Sequence, residues 1–428
     1  MASPVLSPRS SFESLCSNSS SILSESSSIQ SISSSINRDA ASIHSDTSSI
    51  IDSPDKLAPP VVGPMVWQGD ELNPKEYIVQ LSNREIRDIR AAIIKFKLSG
   101  LELEQISREN FDLGNPRLVQ KLSSLSTEIH SGRGVVVLRG LDSPRQGPRD
   151  RLSDLEAVIA FTGLCSYICP SRATDSYANQ TLSHVRDASK QSVPADCKGI
   201  GLAGSKIPAA MEFHSDRFSG DVLALFVRDD GGQGAGGEQF LTSFSRVYNE
   251  LLETEPEVLE TMLEADWPFE LKNKDNTTYL SPGPILFFSH GLPICQLVKA
   301  PLLGTPTLPR SPHLPSLTPR QQHALSTVET LCKRFSTQLD RRTGDLQFVH
   351  NLSVLHARSA YRSTSKTDGE ASSRHLLRMF LRDPERAWKK PKGCYEQFED
   401  PFEEGRVQLI PVVDTDPWRL ISGRESHG

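Results

Sequence analysis

The order of apolar patterns along this sequence restricts the folds that it can adopt. Ser82 and Glu85 have the spacing of a capping box, apolar residues then follow at helical intervals, and Gly100 supplies a stop. Residues 134–140 form a short apolar run between glycines, which is typical of a buried strand, and residues 149–162 return to helical spacing. The chain therefore begins its globular part with helices.

Strand-length apolar runs dominate the second half of the sequence. They occupy residues 222–227, 239–241, 285–289, 346–349 and 374–381. Two helical patterns interrupt them, over residues 245–263 with a break near Pro256 and over residues 319–335. Helices first, then strands with helical insertions, predict a single α+β domain over residues 59–428, built on an antiparallel sandwich.

The first 58 residues have a different composition. They hold 22 serines and almost no aromatic residue, so they cannot bury enough surface to offset the entropy of ordering. Apolar residues recur every seven positions from Leu15 to Ile50, as at the a positions of a coiled coil. Only Ile32 is apolar at the d positions, and serine is a mediocre helix former. We predict a disordered tail over residues 1–58.

Charge and hydropathy exclude several classes of partner. The net charge is −6, with 47 Lys and Arg against 53 Asp and Glu, so the basic excess of a nucleic-acid-binding protein is missing. The longest apolar runs have the length of strands and are too short to cross a membrane. The polar N-terminus has no signal-peptide core, which predicts an intracellular, cytoplasmic protein. The oligomeric state stays open.

One short segment has the pattern of a metal site. His214 and Asp216 are two residues apart, so in a strand both side chains point to the same face. A histidine from a distant strand would complete the facial triad of non-heme Fe(II) oxygenases, which leaves three metal positions open. The tripeptide alone is a weak signal, because His44 and Asp46 repeat it inside the serine-rich tail.

Three further segments strengthen this interpretation. A glycine-rich run over residues 231–237 ends at Glu238, and residues 344–358 contain His356 followed by Ala-Arg. Arg374 and Arg378 are four residues apart in a strand-like run, so both lie on one face while Leu377 and Met379 lie on the other. Two guanidinium groups on one face suit a dicarboxylate, because each can bind a carboxylate through two hydrogen bonds.

Together these segments resemble the taurine dioxygenase (TauD/TfdA-like) family of Fe(II)- and 2-oxoglutarate-dependent oxygenases, over about residues 120–390. The family has an H-x-D, a Gly-Gly-acid segment, an "Asn…His-x-Arg" segment and an arginine-containing strand. Here these correspond to His214 with Asp216, Gly236–Gly237–Glu238, Asn351 with His356 and Arg358, and Arg374 with Arg378. The resemblance implies a double-stranded β-helix (jelly-roll, cupin-like) core with flanking helices.

The resemblance also implies a reaction and the residues that carry it. His214, Asp216 and His356 would bind Fe(II), and Arg374 would pair with the distal carboxylate of 2-oxoglutarate. Arg378 would help to bind 2-oxoglutarate or an anionic substrate. With O2, the enzyme would oxidise a small organic substrate and release succinate and CO2. The carboxylate at Asp216 favours hydroxylation, or a related desaturation or cleavage, because halogenating relatives have a small residue there.

Two features depart from the family pattern. The family often has a threonine after the Gly-Gly-acid turn that contacts 2-oxoglutarate, whereas this chain has Gln239. An amide can hydrogen-bond a carboxylate, so Gln239 remains a candidate for that contact. The stretch from His356 to Arg374 is longer than is typical, and its polar composition is that of a surface loop.

Other residues and functions compete with these assignments. His350 and His375 are alternatives to His356 as the second histidine ligand. Asn179 and His184 lie where the family tends to place residues that contact the substrate. Two alternatives to an oxygenase are a catalytically degenerate binding protein and a zinc hydrolase that uses the same His-Asp-His set. The intact set of ligands argues against the first alternative, and the paired arginines argue against the second.

Overall fold

Two facing β-sheets form the centre of the computed structural model, which describes residues 50–51, 56–142, 151–175, 179–192, 202–232, 234–272, 277–305, 308–362 and 374–414. Most of the tail predicted over residues 1–58 therefore lies outside the described residues. In the part of the chain that is described, no helix is both long and apolar enough to cross a membrane.

The helices and strands, in chain order, have the following bounds. The helices are α1 Pro74–Tyr77, α2 Asn83–Ser99, α3 Pro116–Ser131, α4 Asp154–Ile168, α5 Phe244–Thr254, α6 Pro256–Leu263, α7 Ala300–Leu303, α8 Pro319–Phe335 and α9 Tyr395–Glu399. The strands are β1 Ile50–Ile51, β2 Ile78–Gln80, β3 Val135–Arg139, β4 Ser171–Arg172, β5 Ser183–Val185, β6 Met211–His214, β7 Val222–Asp229, β8 Gln239–Ser243, β9 Pro268–Lys272, β10 Thr278–Pro282, β11 Leu286–Ser289, β12 Leu292–Cys295, β13 Gly304–Thr305, β14 Leu308–Pro309, β15 Thr337–Gln338, β16 Leu346–His350, β17 Val354–Arg358, β18 His375–Arg382 and β19 Lys390–Pro391.

The larger sheet contains seven of the described strands. Its order is β2-β3-β16-β7-β18-β4, and β5 also pairs with β18. The smaller sheet has the order β15-β8-β17-β6 among the described strands. Except for the parallel pair β2 and β3, the pairings within both sheets are antiparallel, as the sequence predicts.

Strand β7 shows how the sequence divides the two faces of the larger sheet. Leu223, Leu225 and Val227 belong to an apolar cluster that also contains residues of β8 and β17, so these side chains lie between the sheets. Ala224 and Phe226 belong to the cluster formed with the helices α2, α3 and α4. This alternation follows from the two-residue period of a strand, and it buries β7 on both faces.

The smaller sheet is also covered on its outer face. Phe213 of β6 and Leu355 of β17 pack in an apolar cluster with α5, α6 and α8. The predicted break between the first two of these helices is confirmed: α5 ends at Thr254 and Pro256 is the first residue of α6. Proline has no backbone N–H and is tolerated at the start of a helix but not inside it.

The capping residues decide where the N-terminal helices begin and end. The predicted helix at 82–100 is confirmed as α2, with a capping box between Ser82 and Glu85 and with Gly100 in the left-handed region. The helix predicted over residues 149–162 instead begins at Asp154 and continues to Ile168. Ser153 and Glu156 form a second capping box, which sets the later start, and burial on all sides extends the helix beyond its amphipathic part.

Candidate metal centre and active site

The H-x-D segment begins at the end of strand β6 and continues beyond it. His214 is the last residue of β6, and its register partner on β17 is His356. Ser215 fixes the chain beyond the strand, since its N–H donates to Leu297 O at 2.8 Å and its hydroxyl to Cys295 O at 2.9 Å. Asp216 therefore reaches the site from a turn after the strand, and not from within the strand as the sequence pattern predicts.

The three side chains of the predicted triad converge. Ligand atoms of His214, Asp216 and His356 all lie within 4.8 Å of one another, which is close enough for one ion. His356 Nε2 is 3.3 Å from Asp216 Oδ2, and the two imidazole centroids are 4.2 Å apart. His214 and Asp216 are buried, whereas His356 is partly exposed. Within the described residues, no other set of three or more such side chains is grouped this closely.

The hydrogen bonding of His214 fits a transition metal. Its Nδ1 is 2.7 Å from the carbonyl oxygen of Glu212. A carbonyl can only accept, so Nδ1 carries the proton and Nε2 keeps its lone pair. Metal-binding histidines commonly donate their second ring N–H in this way, which fixes the tautomer and the orientation of the ring. Two imidazoles and one carboxylate are the donor set of non-heme Fe(II) sites.

Asn351 holds the backbone of the H-x-D turn. Its Oδ1 accepts from the N–H of Asp216 at 2.9 Å, and its Nδ2 donates to Asp216 O at 2.8 Å and to Gly220 O at 2.9 Å. The backbone N–H of Asn351 also donates to Asp221 O at 2.9 Å. These buried bonds tie the turn that carries Asp216 to the loop between β16 and β17, which ends in the strand of His356.

Arg378 lies where the strand period places it, whereas Arg374 precedes β18 and is separated from it by a register shift between His375 and Leu376, so the strand period does not extend to Arg374 as the sequence predicts. Leu377 and Met379 pack against the helices, and Leu376 and Phe380 pack between the sheets. Arg378 shares the inter-sheet face with Leu376 and Phe380, and its Nε donates to the hydroxyl of Ser183 on β5 at 3.2 Å. Burial lowers the pKa of Arg378, although the negative charges of Asp216 and Asp175 act in the opposite direction.

Arg374 precedes β18 and lies among other cationic side chains. Its guanidinium carbon is 4.9 Å from the ring centroid of Tyr361, and that of Arg358 is 4.7 Å from the same ring. Burial, with repulsion from Arg341 and Arg358, lowers the pKa of Arg374 to about 9. Gly237 makes the close packing possible, since a Cβ there would stand 2.9 Å from Arg374 Nε. An anion bound at Arg374 would relieve this concentration of positive charge.

Gln239 begins strand β8 beside the cationic cluster formed by Arg341, Arg358 and Arg374. Its register partner on β17 is Arg358. Its Oε1 is buried and has no hydrogen-bond partner among the residues that the structure describes. A buried amide oxygen without a partner is costly, so Gln239 is a polar group that a bound molecule or water would satisfy.

The rival histidines face away from the triad. His350 follows Phe348 on the helix-facing side of β16, where its Nδ1 is 2.7 Å from the hydroxyl of Ser353. Its ring lies 4.5 Å from that of Trp388. His375 Nε2 is 2.8 Å from His184 Nδ1. Neither rival belongs to the group formed by His214, Asp216 and His356.

The two weakly predicted substrate residues occupy different surroundings. His184 is the register partner of Leu377, whereas its neighbour Ser183 is the partner of Arg378. His184 therefore points to the face opposite the paired arginine, and its Nε2 is 3.0 Å from Pro411 O. Asn179 has a φ of 56° in a turn, and its carbonyl accepts from the N–H of Leu409 at 2.7 Å. The structure brings Ser183, and not His184, to the arginine.

Comparison with known proteins identifies the family. The taurine catabolism dioxygenase TauD, TfdA family matches residues 97–380. This chain belongs to that family. A taurine hydroxylase-like protein, SAT17, from Stachybotrys chartarum is 32% identical over 371 residues, which cover 86% of this chain and 92% of that protein. FR-33289 synthase from Streptomyces rubellomurinus is 24% identical over 332 residues, which cover 76% of this chain and 91% of that protein.

Solved structures of oxygenases share the fold of this TauD-family chain. Asparagine oxygenase, crystallised with Fe(II), 2S,3S-3-hydroxyasparagine and succinate, superimposes with a TM-score of 0.51 at 16% identity, covering 71% of this chain and 93% of that one. The predicted cupin-like double-stranded β-helix is thus confirmed. The chain is a non-heme iron dioxygenase that uses Fe(II) and 2-oxoglutarate, as the sequence predicts.

Tyr361 is the residue near the cationic cluster that the sequence interpretation missed. It follows the His-x-Arg segment at short spacing, and its N–H donates to Pro208 O at 3.0 Å. The one feature of the sequence that could have pointed to Tyr361 is that it is an aromatic residue shortly after His356. Aromatic residues in such positions are more often part of a core, so nothing in the pattern singles out Tyr361.

Proposed function

We propose that this chain hydroxylates a small organic substrate at an Fe(II) ion bound by His214, Asp216 and His356. The observation that carries the proposal is the convergence of the three ligand atoms within 4.8 Å, together with the His214 hydrogen bond that puts the ring proton on Nδ1 and the lone pair on Nε2. When bound, Fe(II) with 2-oxoglutarate supplies the oxidising chemistry, in which O2 is consumed, succinate and CO2 are released, and the substrate gains an oxygen atom.

The protein's own residues divide the remaining tasks. Arg374 pairs with the distal carboxylate of 2-oxoglutarate, because it is a buried guanidinium beside two further arginines. Asn351 fixes the turn of Asp216 through three hydrogen bonds. The packed sheets on both sides restrict water in the space between them, which strengthens the electrostatic interactions there.

The substrate side is defined by Arg378 and Ser183. Arg378 points between the sheets from the same strand face as its neighbour Phe380, and both line a small cavity of about 20 Å³ with Asp175 and Ser183. This space has room for about one water molecule, and the buried guanidinium beside it favours an anionic group at the near end of the substrate. The 32% identity to a taurine hydroxylase-like protein supports hydroxylation as the outcome.

The test combines metal binding with product analysis. The chain is loaded anaerobically with Fe(II) and titrated with 2-oxoglutarate, and the charge-transfer absorbance is followed. Succinate is then measured after O2 is admitted, with a library of small acids, amines and sulfonates as substrates. His214→Ala, Asp216→Ala and His356→Ala each remove a ligand, so we expect each to lose iron binding and succinate release.

His313→Ala is the matched control for these variants. His313 is exposed and lies outside the group of converging ligands, so this variant should bind iron and release succinate like the unmodified chain. Normal turnover in His356→Ala would contradict the ligand assignment. Zinc-dependent hydrolysis without succinate release would support the hydrolase alternative, and binding of small acids without turnover would support a degenerate binding protein.

A further inference from the structure

The hydroxyl of Tyr361 is a buried polar group close to Arg374. Its oxygen has no hydrogen-bond partner in normal geometry among the residues that the structure describes. Tyr361 is 6% exposed, so solvent does not readily replace that partner. Most buried polar side-chain atoms in proteins are hydrogen-bonded, and an exception in an active site points to a bound molecule.

The position of the Tyr361 ring relates this hydroxyl to Arg374. The guanidinium carbon of Arg374 is 4.9 Å from the ring centroid, within the range of a cation–π contact. The backbone of Tyr361 is fixed on the other side, by a bridge to Gly236 and by the N–H bond to Pro208 O. The ring of Tyr361 therefore packs beside the guanidinium of Arg374 from a backbone that is held in place.

The Gly-Gly-acid turn keeps this arrangement tight. Gly237 has a φ of 76°, and a Cβ at this position would stand 2.9 Å from Arg374 Nε and 3.3 Å from Tyr361 Cβ. Only glycine fits between the two side chains without displacing one of them. The next strand begins two residues later at Gln239, where the family often has a threonine, and Gln239 has its own unpartnered Oε1.

We propose that Tyr361 binds the distal carboxylate of 2-oxoglutarate together with Arg374, and that its hydroxyl replaces the threonine hydroxyl that position 239 lacks. The proposal rests on the proposed function, since it assumes that 2-oxoglutarate binds at Arg374. A phenol O–H can donate one hydrogen bond to a carboxylate. The Gln239 amide can donate through Nε2, but its atom without a partner is Oε1, which only accepts. Burial raises the pKa of Tyr361, so the phenol keeps its proton at neutral pH and acts as a donor.

The test measures binding and not turnover. The iron-loaded chain is titrated anaerobically with 2-oxoglutarate and, separately, with 2-oxopentanoate, which has the 2-oxo acid but no distal carboxylate. Tyr361→Phe removes the hydroxyl and keeps the ring beside Arg374. We expect it to weaken 2-oxoglutarate binding by about 10- to 100-fold, the usual effect of a hydrogen bond to a charged group, and to leave 2-oxopentanoate binding unchanged.

Two further variants separate binding from structural support. Tyr361→Phe combined with Gln239→Thr restores a hydroxyl from the position that the family uses, and it should recover most of the lost 2-oxoglutarate affinity. Tyr167→Phe is the control, because the Tyr167 hydroxyl bonds only to backbone oxygens near Phe111, remote in the fold from this turn. It should bind both acids like the unmodified chain.

The outcomes distinguish this proposal from the proposed function. If the unmodified chain binds iron but not 2-oxoglutarate, the proposed function fails and this inference fails with it. If the unmodified chain binds 2-oxoglutarate and Tyr361→Phe binds it equally well, only the role of Tyr361 is overturned. An equal loss of affinity for both acids would also overturn it, since the ring would then support the site as a whole.

Discussion

Replacement of Asn351 by alanine tests how the H-x-D turn is held. The side chain accepts one hydrogen bond from Asp216 N–H and donates two, to Asp216 O and to Gly220 O, over 2.8 to 2.9 Å. Asn351→Ala leaves one buried N–H and two buried carbonyls without these partners. A buried polar group that loses its partner costs about 1–3 kcal/mol, and water that enters the space left by the amide recovers part of this. We expect a loss of about 3 kcal/mol in the free energy of unfolding.

The same change should weaken the metal centre. Asp216 is held in place by the bonds to Asn351, so the carboxylate becomes less well oriented without them. Loss of a residue that orients a metal ligand typically reduces metal affinity by about 10- to 100-fold. The assay is an anaerobic Fe(II) titration of each variant, with urea unfolding of the metal-free protein measured in parallel.

Asn249 supplies the control for Asn351. Its Oδ1 accepts from Val61 N–H and its Nδ2 donates to Val61 O, both at 2.8 Å, so it makes the same kinds of bond on α5. Asn249→Ala should destabilise the fold but leave the affinity for Fe(II) unchanged. If Asn351→Ala binds Fe(II) as tightly as the unmodified chain, the turn does not depend on this side chain and the reasoning is refuted.

Further predictions concern the cofactor arginine, a buried charge cluster and a histidine. Arg374→Ala should weaken 2-oxoglutarate binding by about 2–5 kcal/mol while Fe(II) binding persists. Arg374→Lys should retain only part of the 2-oxoglutarate affinity, because an ammonium group cannot reproduce the planar guanidinium, and charge-transfer titrations would measure both variants. Asp221→Asn should destabilise the fold by about 3–5 kcal/mol in urea unfolding, because Arg382 and Lys390 bond to Asp221 at 3.0 and 2.9 Å and would remain as buried cations. Burial and neighbouring cations lower the pKa of His375 to about 3, below its ordinary value of 6.5. Below about pH 6.5 the unfolded chain therefore binds a proton at His375 that the folded chain does not bind. The free energy of unfolding should fall by about 2 kcal/mol from about pH 7.5 to pH 5. In thermal melts over this pH range, His375→Gln should show a smaller loss of stability than the unmodified chain.

Local patterns in the sequence were sufficient for helix α2 and for the side-chain directions within strand β18. The capping box of Ser82 with Glu85 and the stop at Gly100 define α2 because these groups satisfy the helix's own terminal N–H and C=O groups. The prediction for α4 was less accurate, because its end depends on burial against other elements and its apolar residues continue on all sides. The two-residue period likewise separated Arg378 from Leu377 and Met379.

The site depends on contacts between parts of the chain that are far apart in sequence. Sequence patterns named His214, Asp216 and His356, because metal chemistry needs those residue types. Only the tertiary structure decided that β6 and β17 pair in the register that sets His356 against His214, that Asp216 lies beyond the strand, and that Tyr361 lies beside Arg374. Register and packing are cooperative properties of many distant residues, whereas capping and strand alternation are set by near neighbours in the sequence.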